Sequence, residues 1–321
     1  MDARVATALS VAAGAALAVQ ARVNGSLTKQ LGHGSAVPTA TVSFAAGTAM
    51  LAVVVMVGGR QRVAARAWEE WRAAGRPVHV WWFLGGLGGA SMVGSTAYAV
   101  PLVGVAFATV AGVSGQLVGS GLVDAAGIGP GGRHAPSLLR LVGVALALAG
   151  LGLAAAGRSS GSGGARIGLL LLIAGAGVLV ALQQAANGHA QRITGDAPVA
   201  ALVSFTGGAL ALLLASCVLL GTGVIGPLHQ PGLSHWWLFF GGAGGASYIA
   251  LSAATVRSLG VLTLSLGLTA GQLVTGIVLD AALPAGEHLR WTTAGGALLA
   301  VAAVLVVSRE AARPATTPRS P

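Results

Sequence analysis

Charge is what this sequence holds least of. Only 8 Asp+Glu and 18 Lys+Arg occur in 321 residues, or 8% charged side chains, where a soluble domain carries roughly 25%. So few cannot cover a water-facing surface, which excludes an ordinary soluble fold. Cysteine is scarcer still: Cys217 stands alone, and an intramolecular disulfide is excluded. The 7 histidines are scattered along the chain, so no metal framework is expected. No acid, base and nucleophile gather as catalysis requires. Neither an enzyme nor a cofactor-binding protein is therefore expected.

The excess is apolar. Hydrophobic residues make up 55% of the chain, and its mean hydropathy is +0.80. Several uncharged runs reach the roughly 20 residues that cross a bilayer as helix. They are continuous rather than alternating, which excludes a transmembrane β-barrel. The 51 glycines suit helices in close contact through small residues. The fold class that follows is an all-α integral membrane protein. Its net charge of +10 serves as a topology signal and a contact for anionic lipid, not for nucleic acid.

The chain also repeats itself. Gly85-Gly86-Leu87-Gly88-Gly89-Ala90-Ser91 returns as Gly241-Gly242-Ala243-Gly244-Gly245-Ala246-Ser247. Gly115-Gln116-Leu117-Val118, closed by Asp124, returns as Gly271-Gln272-Leu273-Val274, closed by Asp280. Upstream, Asn24-Gly25 and Ser43-Phe44 are echoed by Asn187-Gly188 and Ser204-Phe205. Ten spans are predicted, near 5–26, 36–57, 80–100, 104–123, 140–156, 167–188, 198–220, 236–255, 260–279 and 291–308. The break between the third and fourth is expected at Pro101, with Gly104 following. Arg257 occupies the position equivalent to Pro101 and is expected to mark a short turn. The Ala-rich run after Arg4 has a partner around Gln183–Gly188, so it is expected to be a retained first helix rather than a signal peptide.

These spans divide the chain into a first five-helix repeat (1–156), a flexible linker (157–166), a second five-helix repeat (167–308) and a disordered tail (309–321). Five is odd, so the second repeat is expected to enter from the opposite side, giving ten transmembrane helices as two inverted repeats. Inverted copies that exchange conformations provide alternating access, the working principle of secondary transporters. Arg22, Lys29, Arg158, Arg166 and Arg290 fall on one side, and the remaining basic residues on the side that holds both termini. The basic excess predicts cytoplasmic termini.

Polar groups inside hydrocarbon mark candidate sites. Gln116 and Gln272 fall about mid-span, where an amide offers two donors and an acceptor to a neutral or zwitterionic solute. Gln20 and Asn24 share a helix face, as do Gln183 and Asn187, with Gln184 beside them. Gln116 and Gln272 read as cavity residues or as an interhelical hydrogen bond, and the Gln–Asn sets as an inward-looking cavity lining or as local helix caps. Tyr98 is a further candidate for the cavity wall, without a counterpart in the second copy. Asp124 and Asp280 close their helices against the helix dipole and need compensation. Arg140 and Arg290 are the expected partners, as two gates or as static braces. Trp81, Trp82, Trp236, Trp237 and Trp291 are expected to anchor span ends at the membrane interface.

Taken together, Asn-Gly after the first span, Ser-Phe-x-x-Gly in the second, Trp-Trp before a Gly-rich third, and Gln-Leu-Val with a later Asp in the fourth resemble the YdcZ-type branch of the drug/metabolite transporter superfamily. The resemblance covers residues 5–156 and 167–308. It implies a ten-helix bacterial inner-membrane exporter whose substrates are small molecules or metabolites. The small multidrug-resistance relatives couple efflux to protons through a glutamate in the first helix. The corresponding helices here contain no acid, so that coupling is not expected. The expected function is secondary transport, with a passive facilitator or channel, or a non-transporting assembly subunit, as the alternatives. The expected partners are a small-molecule substrate and membrane lipid. A monomer would suffice for transport, and a dimer remains compatible.

Overall fold

A computed structural model describes residues 3–32, 34–129, 132–133, 138–156, 163–283 and 291–311. The described residues are helical, with no strand among them. In chain order they form α1 (Ala3–Leu31), α2 (Ala36–Val57), α3 (Arg60–Ala73), α4 (Gly86–Val103), α5 (Val105–Ala126), α6 (Leu138–Ala156), α7 (Gly163–Thr194), α8 (Ala197–Gly221), α9 (Gly241–Ala282) and α10 (Trp291–Ala311). Short 3-10 turns, Val80–Phe83 and Leu233–Phe240, lead into α4 and α9. Five of these helices are long and apolar enough to cross a membrane, and shorter apolar helices accompany them.

Several boundaries differ from the sequence reading. Pro101 lies inside α4 rather than ending it, and the chain breaks at Gly104. There φ is +84° and ψ 165°, a conformation open to glycine. Pro101 is tolerated because it falls in the last turn of the helix, against Gly25 of α1. Residues 163–166, expected in the linker, form the first turn of α7, and residues 309–311, expected in the tail, continue α10. The remainder of both segments lies outside the described residues. The sequence reading gave no element over 60–73. That segment is α3, a polar helix whose Ala64 is buried while Val63 and Trp68 stay exposed.

Helix assignment runs unbroken through Arg257, so the expected turn there is not seen as a gap in α9. In a straight helix Gly241 and Gly267 of α9 would lie about 39 Å apart along the axis. Yet Gly241 touches Asn24 of α1, and Gly267 touches Ser10 of the same helix. Those α1 residues are only about 21 Å apart along the axis. A straight α9 cannot make both contacts, so its two ends lie back along one neighbour.

Packing crosses between the two halves of the sequence. α1 lies on α9, and α7 lies on α4 and α5. α2 pairs with α8, and α6 with α10. Glycine makes these approaches close. A methyl on Gly86 would collide with the Ser204 carbonyl, and one on Gly242 with the Ser43 carbonyl. Likewise Gly115 meets the backbone of Ala174, and Gly271 that of Val11. Without lipid-excluding water to drive association, such backbone proximity is what holds membrane helices together. Side-chain bonds add to it: Thr41 to Ser216 between α2 and α8 at 2.8 Å, and Ser114 to the Ala147 carbonyl between α5 and α6 at 2.9 Å.

Candidate functional site

The centre of the crossing is an aromatic pair. Phe44 of α2 and Phe205 of α8 stack with centroids 4.9 Å apart and planes at 23°. Both are buried because glycines on the facing helices leave them room: Gly208 receives Phe44 and Gly47 receives Phe205. Each phenylalanine follows a buried serine, and each serine meets the glutamine of its own half. Gln20 Nε2 donates to Ser43 Oγ at 3.1 Å, and Gln183 Nε2 to Ser204 Oγ at 3.4 Å. Gln20 and Phe205 both lie against Gly245, and Gln183 and Phe44 both lie against Gly89. The two polar sets therefore flank the aromatic pair, each in contact with the Gly-rich helix start of the other half.

The sets are equivalent but not equal. Gln20 is 5% and Asn24 1% exposed, whereas Gln183 and Asn187 are only half-buried. Asn24 Nδ2 also donates to Ser43 Oγ at 3.1 Å, a bond that has no described counterpart at Asn187. Both asparagines keep a buried Oδ1 without an acceptor's partner. These oxygens sit against Gly241 and Gly85, the residues that open α9 and lead into α4. Of the adjacent glutamines, Gln183 faces the crossing and Gln184 is exposed.

The other candidates are placed as follows. Gln116 and Gln272 are half-buried on α5 and α9, where α5 meets α7 and α9 meets α1. Tyr98 on α4 is 49% exposed and stands apart from the crossing. Asp280 is buried, and its carboxylate accepts from the N–H groups of Val105 and Ala106, both at 2.8 Å. It thus caps α5 from the other half of the chain. Gly104 lacks a side chain to do so, and a methyl there would meet the Asp280 carboxylate. The positive end of α5 faces this carboxylate and offsets part of its charge. Arg290 and the side chain of Arg140 lie outside what the structure describes. Asp124 is half-buried and makes a polar contact of its own.

Two features escaped the sequence reading. Arg60 of α3 pairs with Asp196 at 2.8 Å, and Asp196 also caps α8 through the Val199 N–H at 3.1 Å. Pro198 after an Asp is a recognisable helix start, but the arginine is far away in sequence. Trp82, expected at the membrane interface, is instead buried and stacks on His189, with centroids 4.6 Å apart and planes at 4°. Its neighbour Trp81 and the tryptophans 236, 237 and 291 are exposed, as anchors would be. Among the described residues no group of His, Cys, Asp or Glu is arranged to hold a metal ion.

A family model described as "Putative inner membrane exporter, YdcZ" matches residues 5–153 and 168–306. A chain of known crystal structure is similar over 97% of this chain and 99% of its own, with TM-score 0.57 and 20% identity. At that identity the likeness is one of fold. No curated protein matches the sequence.

Proposed function

The chain belongs to the YdcZ family of inner-membrane exporters, and on that footing we propose that it is a secondary transporter of small uncharged or zwitterionic solutes. The reading has the halves as inverted five-helix repeats that alternate access to a site around Phe44 and Phe205. One observation carries it: the Gln–Ser pair occurs once in each half, on either side of that stack, against the opposite half's glycines. A site shared in this way opens to one face when one half's contacts loosen and to the other when its counterpart's do. Gln20, Asn24, Gln183 and Asn187 are its polar walls, with Gln116 and Gln272 beyond them. No charged side chain belongs to these sets, and burying a net charge among amides alone would be costly. That favours a solute without net charge. In this reading the deeper burial of Gln20 and Asn24 corresponds to closure on the Asn24 side.

In this reading both termini, α3 and residues 80–85 are cytoplasmic, and residues 222–240 face outwards. Asp124–Arg140 and Asp280–Arg290 remain the candidate gating pairs, Asp280 holding α5 as well. Counterflow in proteoliposomes tests the function: a panel of neutral and zwitterionic solutes should yield at least one that exchanges saturably. Gln20→Ala and Gln183→Ala should each lower its uptake by about tenfold, the scale of an amide hydrogen bond lost in a dry site. Flux without counterflow would identify a passive facilitator, and full activity in both variants would move the site elsewhere.

A further inference from the structure

We propose that an open recess at the α3 end of the bundle is a binding site for a planar, carboxylate-bearing organic solute. The recess measures about 520 Å³ and is lined by His79, Trp81, Trp82, Gly127, Ile128 and His189. Its floor is built by the chain's own local geometry. Gly127 takes φ +70° and ends α5. The turn brings the Ile128 carbonyl to within 2.9 Å of His189 Nε2. That tether fixes the imidazole, which lies flat on the Trp82 indole. The edge of Trp81 approaches His189 at 5.4 Å, and His79 approaches Trp82 at 4.9 Å.

Three observations select the ligand. First, Trp82 is 8% exposed and its Nε1 is buried with no partner. An indole N–H can only donate, so a ligand that reaches it as Trp82 shifts toward the recess must bring an acceptor. Second, one face of that indole is already covered by His189, which leaves less bare π surface for a cation and favours a planar body slotted beside the stack. Third, two positive charges stand near the rim beside one acid that is already engaged. Arg133 packs beside Gly127, and Arg192 stands one turn beyond His189, exposed. Asp124, one turn before Gly127, already makes a polar contact of its own. A planar carboxylate meets all three conditions, whereas a planar ammonium meets only the second.

The recess also breaks the internal repeat. The positions equivalent to Trp82 and His189 hold Leu238 and Ser26. Leu238 is sealed with Leu27 and Leu31 in an apolar cluster. Among the described residues the equivalent position is therefore closed by apolar packing. The recess lies within about one helical turn of Asn187 and Gly85, and binding there does not require the protein to transport.

Calorimetric titration of the full chain in detergent micelles tests the assignment, with 2-naphthoate, 2-naphthamide and 2-naphthylmethylammonium as probes. Naphthoate should saturate at one site with a Kd about tenfold below that of the ammonium, and rising salt should weaken it. Trp82→Phe keeps the stack but removes the N–H, and should raise the Kd about fivefold. His79→Ala, at an exposed position, should weaken binding about threefold and serves if Trp82→Phe does not fold. Equal affinity for the three probes would mean partition into the micelle and would overturn the proposal. So would unchanged naphthoate binding in the folded variants.

Discussion

At the scale of single residues, the contact between Gly104 and Asp280 shows how one glycine is held by two demands. Its φ of +84° disfavours any side chain, and the Asp280 carboxylate fills the space one would need. Gly104→Ala should therefore destabilise the protein by about 1–3 kcal/mol, the range for a non-glycine residue forced into a strained backbone. Asp280→Asn keeps an acceptor but loses the charge that faces two N–H groups, and should cost about 1–2 kcal/mol. Thermal unfolding in detergent reads both, and a melting temperature equal to wild type in either variant contradicts the cap. The sequence could flag Asp280 as an acid in need of compensation. It could not name the two N–H groups that meet this carboxylate, because backbone donors about half the chain away leave no side-chain signature. Trp82 and His189 were opaque for a related reason. Their partnership occurs once, so the repeat that exposed Gln20 and Gln183 gave no hint of it.

At the scale of elements, hydropathy located the apolar helices, and glycine determined how closely they pack. Gly242 and Gly86 touch serine carbonyls across the α9–α2 and α4–α8 crossings. Gly242→Val and Gly86→Val should each prevent close approach, costing about 2 kcal/mol or more and reducing folded yield, because overpacking forces backbone shifts. Size-exclusion chromatography and thermal unfolding would show it, and a variant that folds and melts like the parent would deny the crossing. Two elements were not legible from the sequence. α3 lacks the apolar run that marks a span, and its inner face is little more than Ala64 and Ala67, too weak a period to distinguish from a loop. Pro101 invited a break by its missing N–H, but the last turn of a helix on a supporting neighbour accommodates it, and the chain turned where glycine allowed a positive φ.

For the whole molecule, the basic excess on one side predicts which mouth faces the cytoplasm. On a Cys217→Ser background, Gly226→Cys should react with an impermeant thiol reagent in intact cells, and Arg72→Cys should react only after permeabilisation; both positions are exposed. The reverse pattern would invert the topology. The crossed packing bears on assembly as well. α1 finds its main neighbour only in α9, whose first residue follows Leu31 by roughly 210 residues, or about 10–40 s of synthesis at 5–20 residues per second. Through that interval Gln20 and Asn24 have one companion within their own hairpin, Ser43 of α2. The first hairpin thus waits in the bilayer with both amide groups donating to one hydroxyl, and removing Ser43 should be felt in biogenesis before it is felt in the finished protein.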